Sequence, residues 1–188
     1  NLSQSPRVFQ LFKKYIITSL RSGLLIINQQ RAHQRILYEK FLKSLTSEKM
    51  VTQELIFPIK IKLSKKELVL FDEYHKNLKA IGFKIKLSGS NLEIKSAPLI
   101  FNHDNLEDII INLFSMIDNG NFDSFSKSDF LSKALSNVAS IKSGRILSVK
   151  EQQILVDDLF ACKEFLTCPF NNQIFVTLSK EELDEKLN

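Results

Sequence analysis

An α+β chain is predicted, with strands and helices in an irregular order, and three observations carry that prediction. Val51-x-Gln53-x-Leu55-x-Phe57-x-Ile59-x-Ile61-x-Leu63 alternates strictly, the two-residue period of a strand with one apolar face. Ser-x-x-Glu occurs at Ser64/Glu67, Ser148/Glu151 and Ser179/Glu182, each ahead of a helical pattern. In such a box the Ser side chain and the Glu carboxylate satisfy two helix-start N–H groups reciprocally. The resulting order is β-rich, α, β, α, β-β, α, α, α, β, α, which is α+β and not a regular βαβ alternation.

Taken in order, residues 8–12 and 15–20 are apolar and β-branched, and Leu24–Ile27 follows Ser22-Gly23. Residues 15–27 therefore read as a hairpin, with Gly23 supplying the turn. Asn28 is a suitable N-cap, and a helix over 29–42 buries Ala32, Ile36, Leu37 and Phe41. Pro58 confines the strand of 51–63 to a sheet edge or breaks it. The helix after Ser64 presents Leu68, Phe71, Leu78 and Ile81, and Gly82 ends it. Phe83-x-Ile85-x-Leu87 and Leu92-x-Ile94 pair across Ser88-Gly89-Ser90-Asn91. Asp104-x-x-Glu107 caps a helix with Leu106, Ile109, Ile110, Leu113, Phe114 and Ile117 as its stripe. A Ser-rich stretch to Ser128 is a boundary. Helices then follow at 127–142 and 149–161, a short strand at Ile174–Val176, and a last helix after Ser179.

The 188 residues suffice for one domain or two small subdomains. No apolar run is long enough for a transmembrane helix, so a membrane is excluded as a partner. The Asn-Leu-Ser-Gln-Ser-Pro start has no signal-peptide form and lacks an initiating Met, which suggests a piece of a longer protein. Two cysteines, Cys162 and Cys168, build no disulfide framework, and a reducing cytoplasm is the expected location. Residues 1–43 carry Arg7, Lys13, Lys14, Arg21, Arg31, Arg35, Lys40 and Lys43 against Glu39 alone. This basic end points to weak, sequence-independent DNA contact, with Arg31, Arg35, Lys40 and Lys43 as the candidate side chains, or to packing against the acidic C-terminal end. No P-loop, dinucleotide fingerprint or Ser-His-Asp triad is found.

Asn28-Gln29-Gln30-Arg31-Ala32-His33-Gln34-Arg35-Ile36-Leu37-Tyr38-Glu39 resembles the Asp-Gln-His-Ala-x-x-Glu-x-x-x-x-Glu signature of the MutL family of DNA mismatch-repair proteins. Ala139–Gly144, Leu155–Cys162 and Cys168-Pro169 resemble the closing segment of that family's C-terminal domain. The resemblance covers essentially the whole chain. It implies a discontinuous dimerisation subdomain, 1–43 with 131–188, containing a mixed sheet and helices, and an inserted external α/β subdomain, 44–130. It implies a homodimer joined through apolar surface near the hairpin and the closing helices. A MutS-like mismatch-recognition protein is the implied partner, with ATPase activity in a separate N-terminal domain.

Nuclease-active members of the family bind divalent metal at these two blocks. Here the Asp position is Asn28, the His position Gln30 and the first Glu position Gln34. Cys168 survives, but the following His is Phe170 and Gly-Arg-Pro is Asn171-Asn172-Gln173; a Cys-Lys pair of some relatives falls at Asn137-Val138. Glu39 is intact. Neutral amides are poor ligands for zinc or manganese, so the expectation is a site without metal or other cofactor and without catalytic residues. The alternative is a nicking endonuclease whose metal site is rebuilt from Glu39, His33, Cys168 and nearby acids. Gln53-Glu54-Leu55-Ile56-Phe57-Pro58 resembles the element by which the family engages the replication sliding clamp, with Gln53, Leu55, Ile56 and Pro58 as the candidate contacts. The strand alternation offers a second explanation for the same apolar residues.

Overall fold

A computed structural model describes residues 8–101, 105–120 and 123–188. The fold is α+β, in the order β1 (Val8–Leu11), β2 (Tyr15–Leu20), β3 (Gly23–Asn28), α1 (Gln29–Thr46), β4 (Thr52–Lys62), α2 (Lys65–Ile81), β5 (Lys84–Ser88), β6 (Asn91–Pro98), α3 (Leu106–Asn119), α4 (Lys127–Ala139), α5 (Val149–Phe160), β7 (Phe175–Ser179) and α6 (Lys180–Leu187). The chain forms two compact units: the described residues up to Leu37 together with Ser140–Asn188, and Tyr38–Ala139.

The first unit is built on a four-stranded sheet ordered β1-β2-β3-β7. All its pairings are antiparallel, not mixed as expected, because β7 returns from the chain end to lie against β3 without a parallel crossover. Leu20 pairs with Gly23, so Arg21 and Ser22 make the turn and Gly23 is already in the strand. Glycine is needed there for a different reason. A Cβ at that position would overlap the carbonyl oxygen of Leu178 on β7.

Strand alternation gives this sheet two faces. Val8, Ile16, Leu25 and Ile27 point to one and pack with Ala32 and Ile36 of α1, and with Leu155, Val156 and Leu159 of α5. That cluster is the unit's core. In register on the other face stand Phe9, Ile17, Ile26 and Val176, flanked by the rows Leu11–Tyr15 and Leu24–Leu178.

The second unit has a three-stranded antiparallel sheet ordered β4-β6-β5. Ile61, Leu92 and Ile94 are buried on its inner face, and Phe101 joins Phe41 and Phe83 with ring centroids 5.7 and 5.3 Å apart. The apolar stripe of α3 is buried at all six expected positions. Three Ser-x-x-Glu boxes form as read, before α2, α5 and α6. Gly82 ends α2 in the left-handed conformation, φ 118°. Asp104 lies outside the described residues; α3 starts at Leu106 after Asn105, which makes no side-chain capping bond. α4 ends at Ala139, earlier than the 142 expected.

β4 corrects one expectation and meets another. It is an edge strand, as Pro58 requires, and its register slips between Glu54 and Ile59. The slip breaks the alternation. Ile56 is 88% and Phe57 76% exposed, whereas an uninterrupted strand would have placed Phe57 in the core. Val51 is exposed as well.

Candidate functional site

Two surfaces of the first unit carry the information. One is the junction at which β3 enters α1. Asn28 caps the helix, its Oδ1 accepting the Arg31 N–H at 3.1 Å. The Asn28 N–H donates to the Ile174 carbonyl at 2.9 Å. Arg31 Nη1 donates to the Gln173 carbonyl at 2.8 Å, and Arg35 Nε to the Thr167 carbonyl at 2.7 Å. One turn apart, these two arginines therefore stitch residues 167–174 along the start of α1. The structure thus brings together the two sequence blocks that the resemblance pairs.

Gln34 is buried and Gln30 half-buried on the same helix face, four residues apart. Cys168 is buried and belongs to the apolar core, with half-buried Phe170 packed against it. His33 Nδ1 accepts the Ile141 N–H at 2.9 Å, so the ring's proton belongs on Nε2 and the histidine is tied to the chain as it leaves α4. Arg35, expected among the DNA contacts, is instead buried, while Lys40 and Lys43 are exposed. Lys43 pairs with Glu48 at 2.8 Å. Among the described residues, no group of three or more His, Cys, Asp or Glu comes together in a metal-ligand arrangement.

Gln29 lay outside the sequence-based candidates. It is fully buried, and its Nε2 donates to the carbonyls of Lys13 (2.9 Å), Lys142 (3.2 Å) and Arg145 (3.3 Å). Gln10 Nε2 donates to Gln29 Oε1 at 2.6 Å and to the Arg145 carbonyl at 2.8 Å, while Gln10 Oε1 accepts the Leu147 N–H. Two amides so fix residues 142–147 against the β1–β2 turn. Only a buried position distinguishes Gln29 from the exposed glutamines, and burial is not written in a local pattern. Gln29→Leu removes one donor from each of these carbonyls and the Oε1 acceptor for Gln10, and is expected to destabilise the domain by about 1–3 kcal/mol. A urea titration checks this; an unchanged midpoint would mean the amide is replaceable.

The second surface is the outer face of the four-stranded sheet. Phe9 is 52%, Val176 47% and Leu11 37% exposed, with Tyr15, Leu24, Ile26 and Leu178 half-buried beside them. Ile17, at the centre of the row, is buried among them, so the face is an apolar one with exposed margins, a candidate contact surface.

A family model described as "MutL C terminal dimerisation domain" matches residues 8–147. The DNA mismatch repair protein MutL of Christiangramia forsetii is 39% identical over 184 residues, 95% of this chain. That of Flavobacterium psychrophilum is 38% identical over 96% of the chain, and that of Chlorobaculum tepidum 33% over 96%. The chain belongs to the MutL C-terminal dimerisation domain family. It spans 29–30% of the length of these three relatives. No helix of the described residues is long and apolar enough to cross a membrane.

Proposed function

We propose that this MutL C-terminal domain is a homodimerisation scaffold for DNA mismatch repair, paired through the outer face of its β1-β2-β3-β7 sheet, and that it does not cut DNA. The uncovered apolar face carries the reading. Helices bury the opposite face, so Phe9, Leu11, Ile26 and Val176 have no partner from the core cluster. A second copy covers this face by a two-fold rotation, the same patch meeting itself. A stable interface takes about 800 Å² from each partner, and this sheet face supplies its apolar centre. Light scattering on the 188-residue chain is expected to give the mass of two chains; a mass of one chain at every concentration overturns the reading.

The absence of cutting rests on donor chemistry. Metal-assisted phosphodiester hydrolysis needs anionic or imidazole ligands to hold the ion and activate water. At the family's ligand positions stand Asn28, whose oxygen is spent on the helix cap, half-buried Gln30 and buried Gln34. Phe170 replaces the last histidine, and Cys168 is enclosed among apolar side chains. These residues do not fit zinc or manganese. The chain is therefore expected to leave supercoiled plasmid intact with millimolar manganese. Nicking that Glu39→Ala abolishes would favour the rebuilt-site endonuclease instead.

A second reading has its own support. The bulge at β4 leaves Ile56 and Phe57 projecting from an edge strand next to Pro58, with Gln53 donating to the Phe101 carbonyl at 3.4 Å. Apolar side chains on an unpaired edge suit peptide-in-groove recognition, and we assign this segment to the sliding clamp. Replacing Ile56 and Phe57 by Ala is expected to abolish clamp binding in surface plasmon resonance while dimer mass is unchanged. A MutS-like protein as partner and a cytoplasmic location come with the family reading.

A further inference from the structure

The three-stranded sheet of the second unit has an outer face made of lysines. Its register places Lys60, Glu93 and Lys86 side by side across β4, β6 and β5. Lys62 and Lys95 lie two residues along from Lys60 and Glu93, hence on the same face. Lys84 reaches over β6 to Glu54 on β4, Nζ to Oε1 2.6 Å. Lys79, at the end of α2, joins Lys84, Lys86 and Lys95 around an open groove of about 420 Å³ along β5. Six ammonium groups thus face two carboxylates, Glu54 and Glu93. Lys95 is 3.7 Å from Glu93, while Lys60, Lys62, Lys79 and Lys86 have no ion-pair partner among the described residues.

Protection of sheet edges against aggregation accounts for lysines on β4 and β5. It does not account for Lys95 on the central strand, nor for lysines spread across all three strands. We propose that this face is a sequence-independent binding surface for the phosphate backbone of duplex DNA. Charge complementarity selects the occupant: ammonium groups repeat along and across the strands, about 7 Å apart within a strand. Phe83 also lines that groove but is only 2% exposed and offers no ring for a base to stack on, so the surface reads the duplex backbone and gains nothing from unpaired bases. The inference deepens the repair reading above. It also moves DNA contact away from Arg31 and Arg35, whose donors hold residues 167–174.

The test measures fluorescence anisotropy of a labelled duplex with the 188-residue chain from 50 to 200 mM salt. Four unpaired lysines releasing about 0.9 counterion each predict that binding weakens roughly 100-fold over that range. Lys60→Glu, Lys62→Glu and Lys86→Glu together should weaken binding at least tenfold and flatten the salt dependence. A control with the same charge change, Lys150→Glu, Lys163→Glu and Lys186→Glu, should bind nearly as the parent does. Equal losses in the two triple variants would reduce the effect to net charge and overturn the proposal. Displacement of duplex by poly-glutamate as readily as by unlabelled duplex would also overturn it, in favour of an acidic protein partner. If the Glu variant fails to fold, Gln at the same three positions gives the same comparison. Light scattering on each sample keeps the outcomes separate: a monomeric parent that binds DNA refutes pairing and leaves this surface standing.

Discussion

Val176→Asp is expected to turn the dimer into a monomer. Val176 lies in β7 opposite Ile26 of β3, in the row that continues through Ile17 to Phe9, and is about half exposed in one chain. A carboxylate there stays hydrated in the monomer, so the fold tolerates it. Pairing would bury two such charges, one from each copy, without counter-ions, and each costs several kcal/mol. Even about 4 kcal/mol of this raises the dissociation constant about 1,000-fold. Light scattering at micromolar concentration reads the change directly. Thr177→Asp is the matched control. It is exposed on the same strand, but its row, Leu25–Thr18–Val8, belongs to the opposite face, and the dimer should survive.

The second large effect concerns Asp129, in the other unit. Its carboxylate is buried and accepts from Tyr38 Oη at 2.8 Å and from the Phe125 N–H at 2.9 Å, with Lys133 Nζ 3.1 Å away. Lys133 is buried too, and also donates to the Asp123 carbonyl. Burial pushes the Asp129 carboxyl up, but the hydrogen bonds from Phe125 and Tyr38 and the Lys133 ammonium outweigh it and hold the carboxyl below its ordinary value. Asp129→Ala leaves a buried ammonium without its counter-charge, and breaking such a pair costs about 3–5 kcal/mol. A fall of roughly 10 °C in melting temperature is expected at this chain length. Faster amide exchange should be concentrated in 38–139.

The pH dependence has a definite sign. A carboxyl whose folded value lies below its unfolded one stabilises fully above the unfolded value, near 4. That contribution fades as the pH falls through the folded value. The parent should therefore lose stability on acidification below about pH 4, and Asp129→Asn should lose less over the same interval. Parallel acid limbs for the two proteins would show that other carboxyls set it.

What could be read from the sequence is what depends on near neighbours. Ser64, Ser148 and Ser179 each bond a backbone N–H three residues on, so their boxes are complete within one turn. The stripe of α3 and the β5–β6 hairpin are likewise local. Asn28 was legible as a helix cap, and its role needs only Arg31. The misreadings involve partners far along the chain. Gly23 reads as a turn residue because nothing nearby announces that β7 arrives 155 residues later with the Leu178 carbonyl against it. Phe57 reads as a core residue because alternation does not reveal a slip in register. Arg35 looked like a surface cation because its acceptor, the Thr167 carbonyl, is 132 residues away. The apolar sheet face was invisible for the same reason. Phe9, Ile26 and Val176 come from three distant strands, and only the packing of α1 and α5 on the other side shows which face is left uncovered.

Hydroxyl-radical footprinting read by mass spectrometry, on one protein sample above and below its pairing concentration, tests the sheet-face dimer most directly. Oxidation of Phe9, Leu11, Tyr15 and Val176 should fall together at the higher concentration, while Phe57 and Val149 on other surfaces are labelled equally in both. Unchanged labelling of those four side chains in a sample with the mass of two chains would contradict it, because pairing would then use a different surface.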